Sequence, residues 1–341
     1  MKYAFNECNL KGYAECNYVN RLAVALMSGS SKSGGDADIP LYGAFGTTFM
    51  QLPIVQDLAN SDAEVVVSGV PFDLATTGRA GSRFGPQGVR EASVNMVWEG
   101  ARWPWSFALN DHLKVADIGN VFFTHGEPQT LVDNLQAHIT NILDVDKSPL
   151  TIGGDHFITL PILRSIAKKH GPVALIHFDA HTDTYSGGSK YDHGTFLHHA
   201  VEEGLVDTDH SLQIGIRTNY TQEDYPFEVL DAAWVGDHGP KGVLEKIHAR
   251  VGDKKAYVTF DIDALDPAFA PGTGTPVAAG MTIDCASKVI RGLQGLNLIG
   301  MDLVEVAPAY DHAEITSLAG AALALDYLYV LAANKQKGEL I

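Results

Sequence analysis

The sequence predicts an α/β protein with three layers, α/β/α, around a mostly parallel central sheet of about eight strands. From residue 64 onward, short apolar runs, loops rich in glycine or proline and longer helical stretches follow one another in regular order. Strands that alternate with helices form parallel sheets that are covered on both faces. Runs such as residues 65–67 and 173–176 are apolar at every position, which is typical of strands buried on both sides.

Apolar patterns and the turn residues that flank them predict the individual elements. The strand candidates are residues 64–70, 113–118, 149–152, 173–178, 212–216, 232–235, 256–260 and 298–304. The helix candidates include residues 129–143, 159–169, 241–251, 283–293 and 315–333. Because no linker divides residues 64–335, residues 61–341 are predicted to form one domain. Residues 1–60 are predicted to be an N-terminal extension, since residues 28–35 have the composition of a flexible linker.

Composition excludes several classes of partner. The chain has 41 acidic and 24 basic residues, so its formal net charge of -17 argues against nucleic acid or an anionic membrane surface and is compatible with a cationic substrate. No segment approaches the roughly 18 apolar residues of a membrane span. The three cysteines, Cys8, Cys16 and Cys285, have no metal-binding spacing. They indicate a reducing compartment, and we expect the cytoplasm.

Ligand-type side chains follow three of the predicted strands. Asp179, His181 and Asp183 come directly after residues 173–178, and residues two apart in an extended segment point to the same side. Asp261 and Asp263 repeat that spacing after residues 256–260. A further imidazole, that of His156, follows the strand candidate at residues 149–152. In parallel sheets, ligands gather beyond the carboxyl ends of the strands, which is where all three groups are expected.

Taken singly, each group has a simpler explanation. An Asp-x-Asp pair after a strand is usually a turn or a helix cap, and a single histidine is more often a core or surface residue than a ligand. Crowded carboxylates beneath an apolar sheet would repel one another and lose hydration, an objection that a divalent cation removes. Three such groups together therefore predict a two-metal site. Imidazoles and carboxylates without thiolates suit Mn²⁺, with Zn²⁺, Co²⁺ or Ni²⁺ as alternatives.

A two-metal site of this kind favours hydrolysis. A water held by two cations loses a proton near neutral pH, and the hydroxide attacks a trigonal carbon. Redox chemistry is disfavoured, because no Gly-x-Gly-x-x-Gly sequence opens a predicted helix. The glycine-rich residues 78–86 also lack the lysine of a phosphate-binding loop.

The motifs resemble those of the ureohydrolases, the manganese enzymes that include arginase and agmatinase. The resemblance rests on Gly-Gly-Asp-His at residues 153–156, Asp-Ala-His-Thr-Asp at 179–183, and Asp-Ile-Asp-Ala-Leu-Asp-Pro at 261–267. It is extended by residues 268–276 and 300–308 and covers residues 64 to about 335. Within the family the likeness is greatest to bacterial agmatinase, through residues 78–81, 191–195 and 213–218. An arginase-like fold is implied, with residues 61–341 as its catalytic domain.

The resemblance also implies roles for individual residues. The first manganese would be held by His156, Asp179, Asp183 and Asp261, and the second by Asp179, His181, Asp261 and Asp263. Asp179 and Asp261 would then bridge the two ions.

Three further roles near the metals follow from the same resemblance. Asp183 would also orient the bridging hydroxide, His193 would carry a proton to the leaving amine, and Glu305 would pair with the substrate guanidinium. Without the flanking match, His193 would be taken as a surface histidine and Glu305 as the end of a strand. Residues 184–195, which include Tyr185, Tyr191 and Asp192, are expected to line the entrance, and Asp192 and His193 to contact substrate.

The substrate remains open between several guanidine compounds. The first hypothesis is hydrolysis of agmatine to urea and putrescine, a step of polyamine biosynthesis. Alternatives with the same chemistry are guanidinobutyrate, guanidinopropionate, guanidine itself or a biguanide such as metformin. A different alternative is a non-catalytic subunit that keeps its metals. By resemblance, a homo-oligomer is expected, either a trimer or a hexamer.

Overall fold

A computed structural model describes residues 47–55, 57–98, 100–223 and 225–336. The strands in this part are β1 Val65–Gly69, β2 Val115–Asn120, β3 Ser148–Ile152, β4 Ala174–Phe178, β5 Leu212–Ile214, β6 Glu228–Leu230, β7 Lys255–Asp261 and β8 Asn297–Val304. They form one sheet of eight strands in the order β2-β1-β3-β8-β7-β4-β5-β6. Every pair of neighbours is parallel, which confirms the predicted parallel sheet.

Helices cover both faces of the sheet. They are α1 Gly85–Ser93, α2 Leu109–His112, α3 Pro128–Asp144, α4 Thr159–His170, α5 Phe196–Glu202, α6 Ala232–Val251, α7 Ile283–Arg291 and α8 Ile315–Gln336. Along β1, Val65 and Val67 belong to a hydrophobic cluster with α1, α6, α7 and α8, whereas Val66 belongs to a second cluster with α3, α4 and α5. Alternate side chains of one strand thus pack against the helices on opposite faces of the sheet, which confirms the three-layer architecture.

One predicted strand was wrong. Residues 232–235 open α6, and the strand of this region is the three-residue β6 just before it. Asp231 follows that strand and caps the helix, because its side chain accepts a hydrogen bond from the Trp234 N–H. A short apolar run does not by itself distinguish a strand from a helix. The predicted helix at residues 241–251 is the second part of α6, after a break at Gly239, where φ is 63°.

Helix α8 is longer and more apolar than predicted. By length and composition alone it could span a membrane, which corrects the prediction that no segment approaches a span. Most of its residues are buried within the protein, where α8 packs against α1, α2 and α7. That surrounding is typical of the core helix of a globular domain.

The predicted N-terminal extension lies mainly outside the described residues. Of its end, residues 47–55 and 57–60 are described. There, Phe49 is fully buried in the first cluster, and its N–H donates to Asp117 Oδ2 over 2.9 Å. The division at residue 60 stays a prediction.

Candidate active site and metal centre

Four adjacent strands bring the predicted site residues to one edge of the sheet. β3, β8, β7 and β4 are neighbours in that order, and their carboxyl ends lead to His156, Glu305, Asp261 and Asp179 respectively. All four side chains are almost completely buried. Parallel pairing alone therefore gathers groups that are up to 149 residues apart in the chain, such as His156 and Glu305.

Gly154 allows the loop after β3 to pass close to the backbone of Phe72. A Cβ at residue 154 would lie 1.7 Å from the Phe72 carbonyl oxygen, so no side chain fits there. The close contact allows the Asp155 N–H to donate to that same oxygen over 2.8 Å, and the Glu305 N–H to donate to the Gly154 carbonyl. The two glycines before Asp155 and His156 thus allow the loop to dock beside the end of β8.

The first group of ligand atoms surrounds His156. Its Nδ1 lies 3.1 Å from Asp179 Oδ2, 3.0 Å from Asp183 Oδ2 and 3.3 Å from Asp261 Oδ2. Its Nε2 lies 2.8 Å from the Thr259 hydroxyl, which itself donates to Asp302 Oδ1 over 2.6 Å. Because the hydroxyl hydrogen goes to Asp302, Thr259 accepts from His156 Nε2, and Nδ1 is directed at the three carboxylates.

The second group surrounds His181. Its Nδ1 lies 3.3 Å from Asp179 Oδ1 and 3.1 Å from Asp263 Oδ2. Asp179 therefore contacts both imidazoles, one with each oxygen. Asp261 approaches His156 with Oδ2, and its Oδ1 accepts the Asp263 N–H over 2.7 Å. The structure thus brings all six predicted ligands together, with Asp179 at the centre.

The crowded carboxylates of this cluster favour positive charge beside them. Burial lowers the pKa of His156, but Asp179, Asp183 and Asp261 raise it well above its usual range. Burial also opposes the charged form of His181, yet Asp179 and Asp263 raise its pKa to about 12. Burial, together with Asp263 and Asp179, raises the pKa of Asp261 well above its usual range.

Divalent cations would supply that positive charge. His156 Nδ1 is buried and has no hydrogen-bond partner in the described part of the chain, as expected of a nitrogen that faces an ion. The donor set of imidazole nitrogens and carboxylate oxygens suits borderline-hard divalent ions. The residues present therefore fit a metal centre.

His193 and Glu305 form a buried pair beside the cluster. His193 Nδ1 lies 2.8 Å from Glu305 Oε1, which also accepts the His156 N–H over 2.9 Å. On the other side of the ring, Nε2 lies 3.1 Å from the Thr77 nitrogen and 2.7 Å from its hydroxyl. Burial lowers the pKa of His193, but Glu305 raises it to about 9. Glu305 Oε2 is buried and, among the described residues, has no hydrogen-bond partner.

Two of these residues have unusual backbone conformations. Glu305 has a φ of 64°, in the left-handed region that residues other than glycine rarely adopt, and Asp183 has a φ of 51° in the same region, which aspartate enters more often. Such strain persists where the surrounding structure enforces it, and it concentrates at functional sites.

A cavity of about 590 Å³ opens onto the cluster. Its lining includes Thr77, His181, Asp183, Tyr185, Asp192 and His193. Asp192 also caps a short helical turn, since its side chain accepts the Gly194 N–H over 2.8 Å. The hydrogen bond to the Gly194 N–H is an ordinary capping interaction. The predicted contact of Asp192 with substrate stays a prediction.

Sequence reasoning missed the residues behind the cluster. His177, Thr259 and Gln213 are fully buried within strands, and His177 contacts Asp179 directly. One signal was present: residue 177 has the same strand parity as Asp179, so the argument that grouped residues 179, 181 and 183 extends to it. Thr77, which contacts His193, lies in a loop and gave no such signal.

Comparisons with known proteins agree with this geometry. The statistical model of the Arginase family matches residues 63–329. An agmatinase of Edwardsiella ictaluri is 58% identical over 292 residues, which cover 86% of this chain and 95% of that protein. A solved structure of a hypothetical agmatinase from Burkholderia thailandensis has 48% identity and a TM-score of 0.82, and covers 85% of this chain and 91% of its own.

A further solved structure, the proclavaminate amidino hydrolase of Streptomyces clavuligerus, has 36% identity and a TM-score of 0.79. It covers 84% of this chain and 97% of its own. The family match spans most of the chain, and the matched part contains every residue of the buried cluster. The chain belongs to the arginase family and is a ureohydrolase, an enzyme that hydrolyses C–N bonds.

Proposed function

We propose that this protein hydrolyses the guanidinium group of agmatine to urea and putrescine at a binuclear manganese centre. The observation that supports agmatine as the substrate is the 58% identity to a protein named agmatinase, over nearly that protein's whole length. The buried cluster around Asp179 supports the two-metal centre, because Asp179 places one oxygen against each imidazole.

The proposed ligands form two sets that share two carboxylates. One ion would be held by His156, Asp179, Asp183 and Asp261, and the other by Asp179, His181, Asp261 and Asp263. Bound there, the two ions would supply hydroxide near neutral pH. Manganese is proposed from the family resemblance, and Ni²⁺, Co²⁺ or Zn²⁺ would suit the same donors.

Glu305 would bind the guanidinium. Its Oε1 is held by the His156 N–H and by His193, so the carboxylate cannot rotate freely. Its buried Oε2 lacks a partner among the described residues and is available to accept from a planar guanidinium N–H group. A buried acceptor without a partner is costly, and a substrate that supplies the hydrogen removes that cost.

His193 would protonate the leaving amine. When the C–N bond breaks, the departing nitrogen needs a proton, and the contact with Glu305, which raises the pKa of His193, favours a proton held by this pair beside the cavity. His193 lines the same cavity as Asp183, so proton donor and cluster face one space. Asp183, which contacts His156, would also orient the attacking hydroxide.

The far end of the substrate would lie in the cavity near Asp192 and Tyr185. A carboxylate and a phenol ring both favour the ammonium group at the end of agmatine. A relative with this fold is named a proclavaminate amidino hydrolase, after a compound other than agmatine. A different guanidine compound is therefore the second candidate.

A substrate panel tests the proposal. Purified protein loaded with Mn²⁺ is assayed for urea release from agmatine, arginine, guanidinobutyrate, guanidinopropionate, guanidine and metformin, with manganese content measured on the same sample. We expect turnover of agmatine well above the others. Turnover of another guanidine in place of agmatine would favour the second candidate. Two bound manganese ions with no urea from any compound would favour the non-catalytic subunit.

Assembly and location are also proposals. The family resemblance supports a homo-oligomer, a trimer or a hexamer, which light scattering of the purified protein measures directly. The cytoplasm is proposed from the low cysteine content. Cell fractionation with a tagged protein tests that location.

A further inference from the structure

A third imidazole lies against the cluster. His177, on β4, is fully buried, and its Nε2 lies 2.9 Å from Asp179 Oδ2. Ligand atoms of His156, His177, Asp179 and Asp183 all lie within 4.8 Å of one another. By distance alone, His177 could be a metal ligand or a residue that orients a ligand. The position of its proton decides between these roles.

Gln213 fixes that position. Its Nε2 lies 2.8 Å from the Thr182 carbonyl oxygen and 2.8 Å from His177 Nδ1. A carbonyl oxygen can only accept, so the end of the amide that faces Thr182 must be its NH₂ group. Its other end, Oε1, accepts from the Tyr225 hydroxyl over 2.5 Å, which agrees with this orientation. One amide hydrogen therefore goes to Thr182 and the other to His177.

The amide thereby determines the tautomer of His177. Since Nδ1 accepts a hydrogen bond from Gln213, the ring proton is on Nε2. Nε2 then donates to Asp179 Oδ2 and has no lone pair to offer a metal ion. Both ring nitrogens are committed, one to the amide and one to the carboxylate.

This donor completes the support of Asp179. Its Oδ1 accepts the His181 N–H over 2.6 Å, and its Oδ2 accepts from His177. Each oxygen of a carboxylate has two lone pairs, so one remains free on each. Oδ1 also faces His181 Nδ1 at 3.3 Å, and Oδ2 faces His156 Nδ1 at 3.1 Å. The two donors thus fix the plane of the carboxylate and leave one acceptor site toward each ligand group.

We propose that His177 is a positioning residue that holds Asp179 across both metal positions, and that Gln213 sets the tautomer it needs. The inference rests on the two-metal centre proposed above and adds to it a role for two buried residues. Partners that orient metal ligands in this way typically contribute about 10-fold to 100-fold to metal affinity.

The first test measures Mn²⁺ affinity by competition with a chelator, which requires no turnover. His177→Phe keeps an aromatic ring but removes the donor, and we expect Mn²⁺ to bind roughly 10-fold to 100-fold more weakly. His177→Gln can place an amide N–H near the position of Nε2, so it should recover most of the affinity. Unchanged affinity in His177→Phe would overturn the proposal. Complete loss of one ion in both variants would instead identify His177 as a ligand.

A matched control comes from α3. His138 is a half-buried histidine with a buried Nε2 atom, burial lowers its pKa to about 4, and it does not line the cavity. His138→Phe makes the same chemical exchange and should leave Mn²⁺ affinity unchanged. If His138→Phe weakened Mn²⁺ binding as much as His177→Phe, general destabilisation would explain both.

A second measurement does not depend on the folding of the His177 variants. Ring nitrogen-15 shifts of the histidine-labelled, metal-free protein should show the His177 proton on Nε2. In Gln213→Glu an oxygen replaces the NH₂ group opposite Nδ1, and the proton should move to Nδ1 while Mn²⁺ binding weakens. A proton on Nδ1 in the unsubstituted protein would contradict the proposal. If urea release fails while these shifts hold, the proposed function is wrong and the role of His177 stands.

Discussion

The two sides of the cluster differ in what surrounds them. On the core side, His156 and His177 are fully buried, and each has its outer nitrogen bonded to a strand residue, Thr259 or Gln213. On the cavity side, His181 has 20% of its side chain exposed and lines the cavity with Asp183 and His193. We infer different roles for the two sides. Core-side residues hold the candidate metal ligands in place, and cavity-side residues contact the substrate and transfer protons.

Asp179 belongs to both sides, so its substitution should have the largest effect. Asp179→Asn keeps the shape but removes the charge and half of the acceptor sites. We expect loss of bound manganese together with a fall in kcat/KM on the order of 10³-fold or more, since metal ions supply several kcal/mol of transition-state stabilisation. Manganese per chain and urea release are measured on one sample. An active Asp179→Asn enzyme with both ions bound would contradict the role of Asp179 at both metal positions.

On the cavity side, His193→Gln should separate chemistry from metal binding. Removal of a proton donor typically costs about 10²-fold to 10⁴-fold in rate, and His193 is not among the proposed ligands. We expect kcat to fall by that factor while manganese content stays unchanged. Loss of manganese in this variant would show that the cavity side also holds the metal.

The same residue gives a pH prediction for the metal-free protein. Contact with Glu305 raises the pKa of His193 to about 9, from an ordinary value near 6.5. A raised pKa means stability that is fully present below about pH 6.5 and is lost as the pH rises toward 9.

The unfolding free energy of the unsubstituted protein should therefore exceed that of His193→Gln by up to roughly 3 kcal/mol at pH 6. The difference should shrink at pH 9.5. Urea-induced unfolding of both proteins with chelator present measures it. A difference that grows with pH would contradict the pairing with Glu305.

The division between the two sides also explains what the sequence could predict. Apolar runs located seven of the eight strands, and the spacing of Asp179, His181 and Asp183 located candidate ligands, because both signals are local. β6 was missed because a three-residue strand that begins with Glu228 has little periodic pattern. Gln213 was missed because its role depends on Thr182, 31 residues away, and only tertiary packing brings them together. His181, Asp183 and His193 on the cavity side lie in motifs, whereas His177 and Thr259 on the core side lie within apolar strands.

The smallest expected effect is that of Thr259→Val on the core side. Valine keeps the shape but removes the hydroxyl that accepts from His156 and donates to Asp302. Mn²⁺ affinity should fall about 10-fold, the lower end of the range for partners of metal ligands, while KM for substrate stays the same at saturating Mn²⁺. Thr76→Val is the matched control, because the buried Thr76 hydroxyl has no hydrogen-bond partner in the described part of the chain. Equal losses in both variants would mean that the packing of threonine, and not the Thr259 hydrogen bond, supports His156.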